Sequence, residues 1–100
     1  MKKLEKKLKG LLEKEDTARE EALKLSREIG RLAADSIKKI HQRHYDKAEE
    51  EIEEALKLLD KTRKMLKPFP ETMYAGFLHA SEKELAEAVI TLSIIRDSRI

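Results

Sequence analysis

The chain has no cysteine and no tryptophan, only two prolines, three glycines and 4% aromatic residues in 100 positions. Without cysteine there is no disulfide framework, no zinc–thiolate site and no cysteine nucleophile. Scarce glycine and proline leave little material for a β-sandwich, a P-loop or a dinucleotide-binding turn. Few aromatics argue against base-stacking platforms of the kind that RRM and OB folds use. The longest run free of formal charge is Thr72 to Ser81, and the most apolar is Ala88 to Ile95. Both fall far short of the roughly 20 residues that a membrane span needs. Met1 is followed by lysines rather than by the apolar core of a secretory leader. These absences predict a soluble, cytoplasmic protein with no membrane partner.

Charge is abundant, 42% of residues, and nearly balanced, with 22 Lys+Arg against 20 Asp+Glu. A net charge of +2 is not that of a tail that binds nucleic acid through bulk charge. The preference for Lys and Glu is the bias found in proteins of heat-loving organisms.

The order of apolar residues predicts helices throughout. Leu4, Leu8, Leu11, Ala18, Ala22, Leu25, Ile29 and Leu32 alternate spacings of four and three, broken only by Glu15. The stripe then steps to Ala33, Ile37 and Ile40, the drift expected of a long helix. Gly10 and Gly30 each cost about 1 kcal/mol inside it, which close helix packing would explain. Asp16-Thr17 is the one place where it could restart. A turn is expected at His44-Tyr45-Asp46, with Asp46 as N-cap and Glu49 completing a capping box. Ala48, Ile52, Ala55, Leu56, Leu59 and Leu66 then line a second helix, which Pro68-Phe69-Pro70 ends by pushing Lys67 and Phe69 from the α region. A third helix follows, with Gly76 offering a place to reorient its start. The expected spans are 2–44, 46–67 and 72–98, in one all-α domain of long antiparallel helices. From Leu85 to Ile95 the sequence is apolar nearly all round. Three helices cannot enclose one of themselves, so residues 1–100 read as the N-terminal part of a larger bundle.

Two groups of residues could carry chemistry. Glu84 and Glu87, spaced i, i+3, share a helix face where the sequence turns core-like. Carboxylates there need protonation, pairing or a cation, and a pair suits Mg²⁺. The plainer alternative pairs Lys83 with Glu87 and leaves Glu84 solvated. In Lys38-Lys39-Ile40-His41-Gln42-Arg43-His44, five of seven side chains are basic or can be protonated. Lys38, Lys39 and Arg43 are candidate contacts to a nucleic-acid backbone, against the plain alternative of cations at a helix C-terminus. His41 with His44 is only suggestive of metal binding. Lys2, Lys3, Lys6, Lys7 and Lys9 form a second basic strip, solubilising or RNA-facing.

The run Ala18-Arg19-Glu20-Glu21-Ala22-Leu23-Lys24-Leu25-Ser26-Arg27-Glu28-Ile29 resembles the first helix of the translin family. Ile40-His41, the Glu/Lys-rich second helix and Pro68-Phe69-Pro70 continue the resemblance. Glu84-Leu85-Ala86-Glu87-Ala88 is similar to the E-x-x-E-A segment of the TRAX-type subunit. Order and spacing carry the likeness, because each motif is loose. The resemblance implies a seven-helix, all-α subunit of a hollow multimer, expected to be a homo-oligomer, that handles single-stranded RNA or DNA. It further implies that Glu84 and Glu87 are the first pair of a four-carboxylate, Mg²⁺-binding catalytic set of an endoribonuclease. The second pair, on a later helix, has no counterpart within residues 1–100, and Glu49 to Glu51 and Asp97 do not match it. The chain therefore holds half of that site.

Two other classes compete. One is a non-catalytic helical module that assembles with partner proteins through its long stripe. The other is an all-α nucleotide pyrophosphohydrolase, for which Glu51-x-x-Glu54 and Glu84-x-x-Glu87 offer paired carboxylates but lack the required Asp.

Overall fold

The computed structural model describes residues 1–73, 76 and 78–97. It is an all-α chain of three long helices and one short one: α1 (Lys2–His41), α2 (Tyr45–Leu66), α3 (Pro70–Met73) and α4 (His79–Asp97). No strand occurs among the described residues. The molecule measures 68 × 16 × 16 Å. That length belongs to α1, since forty helical residues span about 60 Å.

From Ala18 onward, the stripe read from the sequence is the seam of the bundle; Leu4, Leu8 and Leu11, expected on the same face, are exposed. Ala18, Ala22, Ile29, Leu32, Ala33 and Ile40 of α1 are buried, as are Ala48, Ile52, Ala55, Leu59 and Leu66 of α2. Leu85, Ala88 and Leu92 of α4 join the cluster that runs from Ile29 to Ile40 and from Ala48 to Leu59, whereas Ala18, Ala22 and Leu66 form a second cluster with Leu78. Arg63 pairs with Glu82 near one end and Glu49 with Arg96 near the other, so α4 runs antiparallel to α2 and parallel to α1. Ala22, Ala33, Ala48, Ala55 and Ala88 are all fully buried. Small side chains at those positions let the helix axes approach closely.

Asp16-Thr17 does not interrupt α1, and the Thr17 hydroxyl instead donates to the Glu13 carbonyl at 2.9 Å. Glu15, the break in the apolar stripe, accepts a 2.8 Å hydrogen bond from the buried Thr72 hydroxyl. The polar break thus faces a polar partner on α3. Gly30 lies under α4, where an added Cβ would sit 3.6 Å from Glu84 Oε2 and 4.0 Å from Ser81 Cβ. Those are ordinary contacts, so alanine would fit. A Cβ added at Gly10 would meet nothing within 4 Å beyond its own turn of helix.

Four expectations about helix ends need correction. Helix α1 stops at His41, three residues early, in a Schellman motif: His44 N–H donates to the Lys39 carbonyl (2.8 Å) and Arg43 N–H to that of Ile40 (3.0 Å). Arg43 takes the left-handed position, φ 65°, that glycine usually fills. This turn lets α2 start at Tyr45, with His44 at the cap and no side-chain cap bond. Asp46 is therefore not the N-cap but a first-turn acid, favoured by the helix dipole. At the other end of α2, Lys67 remains α-helical (φ −52°, ψ −41°) despite Pro68, because Phe69 N–H bonds back to the Leu66 carbonyl at 2.8 Å. That tight last turn packs Phe69 against the buried Ala18, Ala22, Leu66 and Leu78. Finally, the span 72–98 divides into α3 and α4, with Gly76 at φ 91° between them. Ser98 lies outside the described residues.

Arg96 clasps Glu49 with two parallel bonds, 2.9 Å from Nη1 and 2.8 Å from Nη2. The guanidinium hydrogen bonds hold the Glu49 carboxyl below its ordinary value of 4.5. A depressed carboxyl contributes stability that is present above its unfolded-state value and lost as pH falls through the folded one. Arg96→Gln is therefore expected to lower the melting temperature at neutral pH. The gap to wild type should close as pH falls below about 4.5. Thermal melts of both chains across that range check it; a gap that stays constant contradicts it.

Candidate carboxylate pair and nucleic-acid interface

Glu84 and Glu87 project from successive turns of α4, one helical turn after its start at His79. The inward face of this helix carries Ser81, Leu85, Ala88 and Leu92. Glu84 flanks it on the side of α1, over Gly30. Glu87 lies away from both neighbouring helices, and both carboxylates are exposed. Glu87, expected to be desolvated, is therefore open to solvent. The apolar run around it is not enclosed either: Ile90 and Ile94 are 58% and 61% exposed on the same outward face. Among the described residues, no three His, Asp or Glu side chains converge as a metal-binding group. Two carboxylates on one exposed face would leave most of the octahedral shell of Mg²⁺ to water or to groups from outside the chain. By themselves they do not fit a closed Mg²⁺ site.

The three candidate cations sit at the end of the bundle where α1 turns into α2, in unlike environments. Lys38 and Arg43 are exposed. Lys39 is engaged, with Asp35 of its own helix at 3.0 Å and Glu51 of α2 in direct contact. The hydrogen bond with Glu51, then that with Asp35, raises the Lys39 ammonium above its ordinary value. Burial pushes the Glu51 carboxyl up, against the pull of Lys39. The bond from Glu51, then that from Lys39, holds Asp35 below the ordinary carboxylate range. Lys39 thus ties α1 to α2, and of the three candidates Lys38 and Arg43 are the exposed ones.

Sequence reasoning missed Arg31. It lines a shallow groove of about 260 Å³ on α1 with Ala34, Asp35 and Lys38. Its spacing from Lys38, i, i+7, was the available signal. Glu28 holds Arg31 in place, accepting from Nε at 3.0 Å, and that hydrogen bond raises the guanidinium and lowers the Glu28 carboxyl. No described helix is long and apolar enough to cross a membrane.

The fold places the chain among all-α helical proteins. No family model matches the sequence, and no solved structure matches the fold. The chain is similar to an uncharacterized protein of Methanocaldococcus jannaschii, with 40% identity over 94 residues. That match takes in 89% of this chain and 39% of the relative, so the chain spans well under half the relative's length.

Proposed function

We propose that this chain is a helical subunit of a translin-like assembly that binds single-stranded RNA or DNA at the α1–α2 end of its bundle. Arg43 is the observation that carries the reading. It is an exposed arginine held at φ 65°, where glycine would avoid a steric cost of about 1–2 kcal/mol. Strain of this kind points to function, and the exposed charge of Arg43 is the function proposed for it. Lys38 is an exposed cation on the last turn of α1, the helix that Arg43 follows. Nothing there resembles ordered recognition of base edges, so contacts go to phosphate and sequence preference is low.

The proposed assembly is a Mg²⁺-dependent endoribonuclease, in which Glu84 and Glu87 contribute two of the metal-binding carboxylates. Their exposure on α4 supports this, because ligands from another element can reach them. Since two carboxylates do not make the site, no step of hydrolysis is assigned to this chain alone. The proposal places the protein in the cytoplasm, where such substrates are found.

Fluorescence anisotropy with labelled single-stranded and duplex RNA, followed by gel analysis with Mg²⁺, tests the reading. The chain is expected to bind the single strand more tightly and to leave it uncleaved. Failure to bind at low salt would overturn it in favour of the second reading, a non-catalytic assembly module. The exposed leucines at the start of α1 favour that alternative.

A further inference from the structure

The first third of α1 runs past the end of the bundle. Leu4, Leu8, Leu11 and Leu12 are 65%, 59%, 58% and 53% exposed, although Leu4, Leu8 and Leu11 are in register with the buried seam. From the sequence alone, this stripe has no reason to stop being a packing surface. Among the described residues, nothing covers it.

We propose that two copies of this chain pair here, with their α1 overhangs antiparallel about a twofold axis near Leu11. The inference is independent of the nucleic-acid reading, since it rests on residues that take no part in it. Charge selects this occupant. Positions 2–9 carry five lysines and one glutamate, whereas 13–21 carry five acids, one lysine and one arginine. Antiparallel pairing about Leu11 sets Lys9 opposite Glu13, Lys7 opposite Glu15 and Lys6 opposite Asp16. A parallel pair would set lysine against lysine, so the pattern opposes it.

The surface is also self-complementary in shape. Beside the base of the overhang lies an open groove of about 880 Å³ whose apolar part is Leu11, Ala18, Met65, Pro68 and Phe69. A twofold axis near Leu11 lays Leu4 and Leu8 of each copy toward the groove of the other. Every contact is then made twice, as an isologous interface requires. Gly10 lines the groove and has nothing within 4 Å of an added Cβ. A glycine there costs helix stability with no return inside the monomer, and it lets a second backbone come close at the crossing.

Sedimentation equilibrium of the 100-residue chain over a concentration series tests the pairing, with circular dichroism as the control for folding. Wild type is expected at the mass of two chains, and the dimer should weaken as salt rises. Leu8→Ser with Leu11→Ser is expected to give a monomer that keeps its helical spectrum and a cooperative melt, since both side chains lie outside the core of the single chain. Lys6→Glu with Lys7→Glu and Lys9→Glu should also give a monomer, as should Glu13→Lys with Asp16→Lys and Glu20→Lys. Mixing those two charge variants should restore the dimer, because each basic block again meets an acidic one. A monomeric wild type would overturn the proposal and leave the stripe to a different protein. So would a dimer that survives the leucine changes or tightens with salt, or a mixture that stays monomeric.

Discussion

Replacing Ile29 with alanine is expected to destabilise the chain by about 2–5 kcal/mol, the usual range for truncating a buried aliphatic side chain. Ile29 is fully buried where α1 meets the other long helices, in one core with Ile40, Ile52, Leu59, Leu85 and Leu92. The loss has two parts, the transfer of the missing methyl and methylene groups and the cavity that neighbours on three helices cannot fill. A domain of this size has only about 5–15 kcal/mol in hand, so a loss of that size removes a large fraction of it. Urea unfolding followed by circular dichroism reads the change directly. Leu12→Ala, in the exposed overhang, is the matched control and should shift stability by no more than about 0.5 kcal/mol in the monomer. Equal effects at the two positions would mean that Ile29 is not in the core.

The second large effect has the opposite cause. Ala33→Leu adds a side chain where the helices already touch, at a residue with no exposed surface. Overfilling a packed core costs about 1–3 kcal/mol, through forced rotamers and displaced backbone. Helix propensity cannot explain such a loss, because leucine and alanine differ little on that scale. Ala34→Leu, one position on and exposed, isolates the packing effect and should leave stability within about 0.5 kcal/mol of wild type. If Ala33→Leu proves neutral in the same urea experiment, α1 is not held as close to its neighbours as this packing requires.

These two sites also show why the fold was legible in the sequence. Ala18, Ala22, Ile29 and Leu32, and after the sidestep Ala33 and Ile40, are the buried positions that the period of the stripe picks out. Burial of a helical face follows from local spacing, so no knowledge of partners is needed. The ends of helices are less regular. The α1 terminus was misplaced because its Schellman turn uses Arg43 where glycine is the usual sign. Lys67 stays helical because a contact of Phe69 with residues far along the chain outweighs the local preference set by Pro68.

The site residues were less legible still, for the same reason. Whether Lys39 is a spare cation depends on Glu51, twelve positions away on another helix, and the register between helices is not written in either one. The polar Glu15 in an apolar stripe signalled a partner, but only the packing of α3 shows that it is Thr72. Glu87 lies in a run whose composition suggests enclosure, yet enclosure of α4 requires more helices than this chain presents.

Salt dependence tests most directly whether the exposed cations at the α1–α2 end hold a nucleic-acid backbone, as proposed. For single strands, each phosphate contact contributes about 0.7 to the slope of log binding constant against log salt. Titrations of single-stranded RNA should therefore show a slope shallower by about 1.4 for the Lys38→Gln, Arg43→Gln double variant than for wild type. Adding Lys39→Gln should change that slope little, because Lys39 is already paired with Asp35 and Glu51. A slope that is the same in wild type and the double variant would contradict the account.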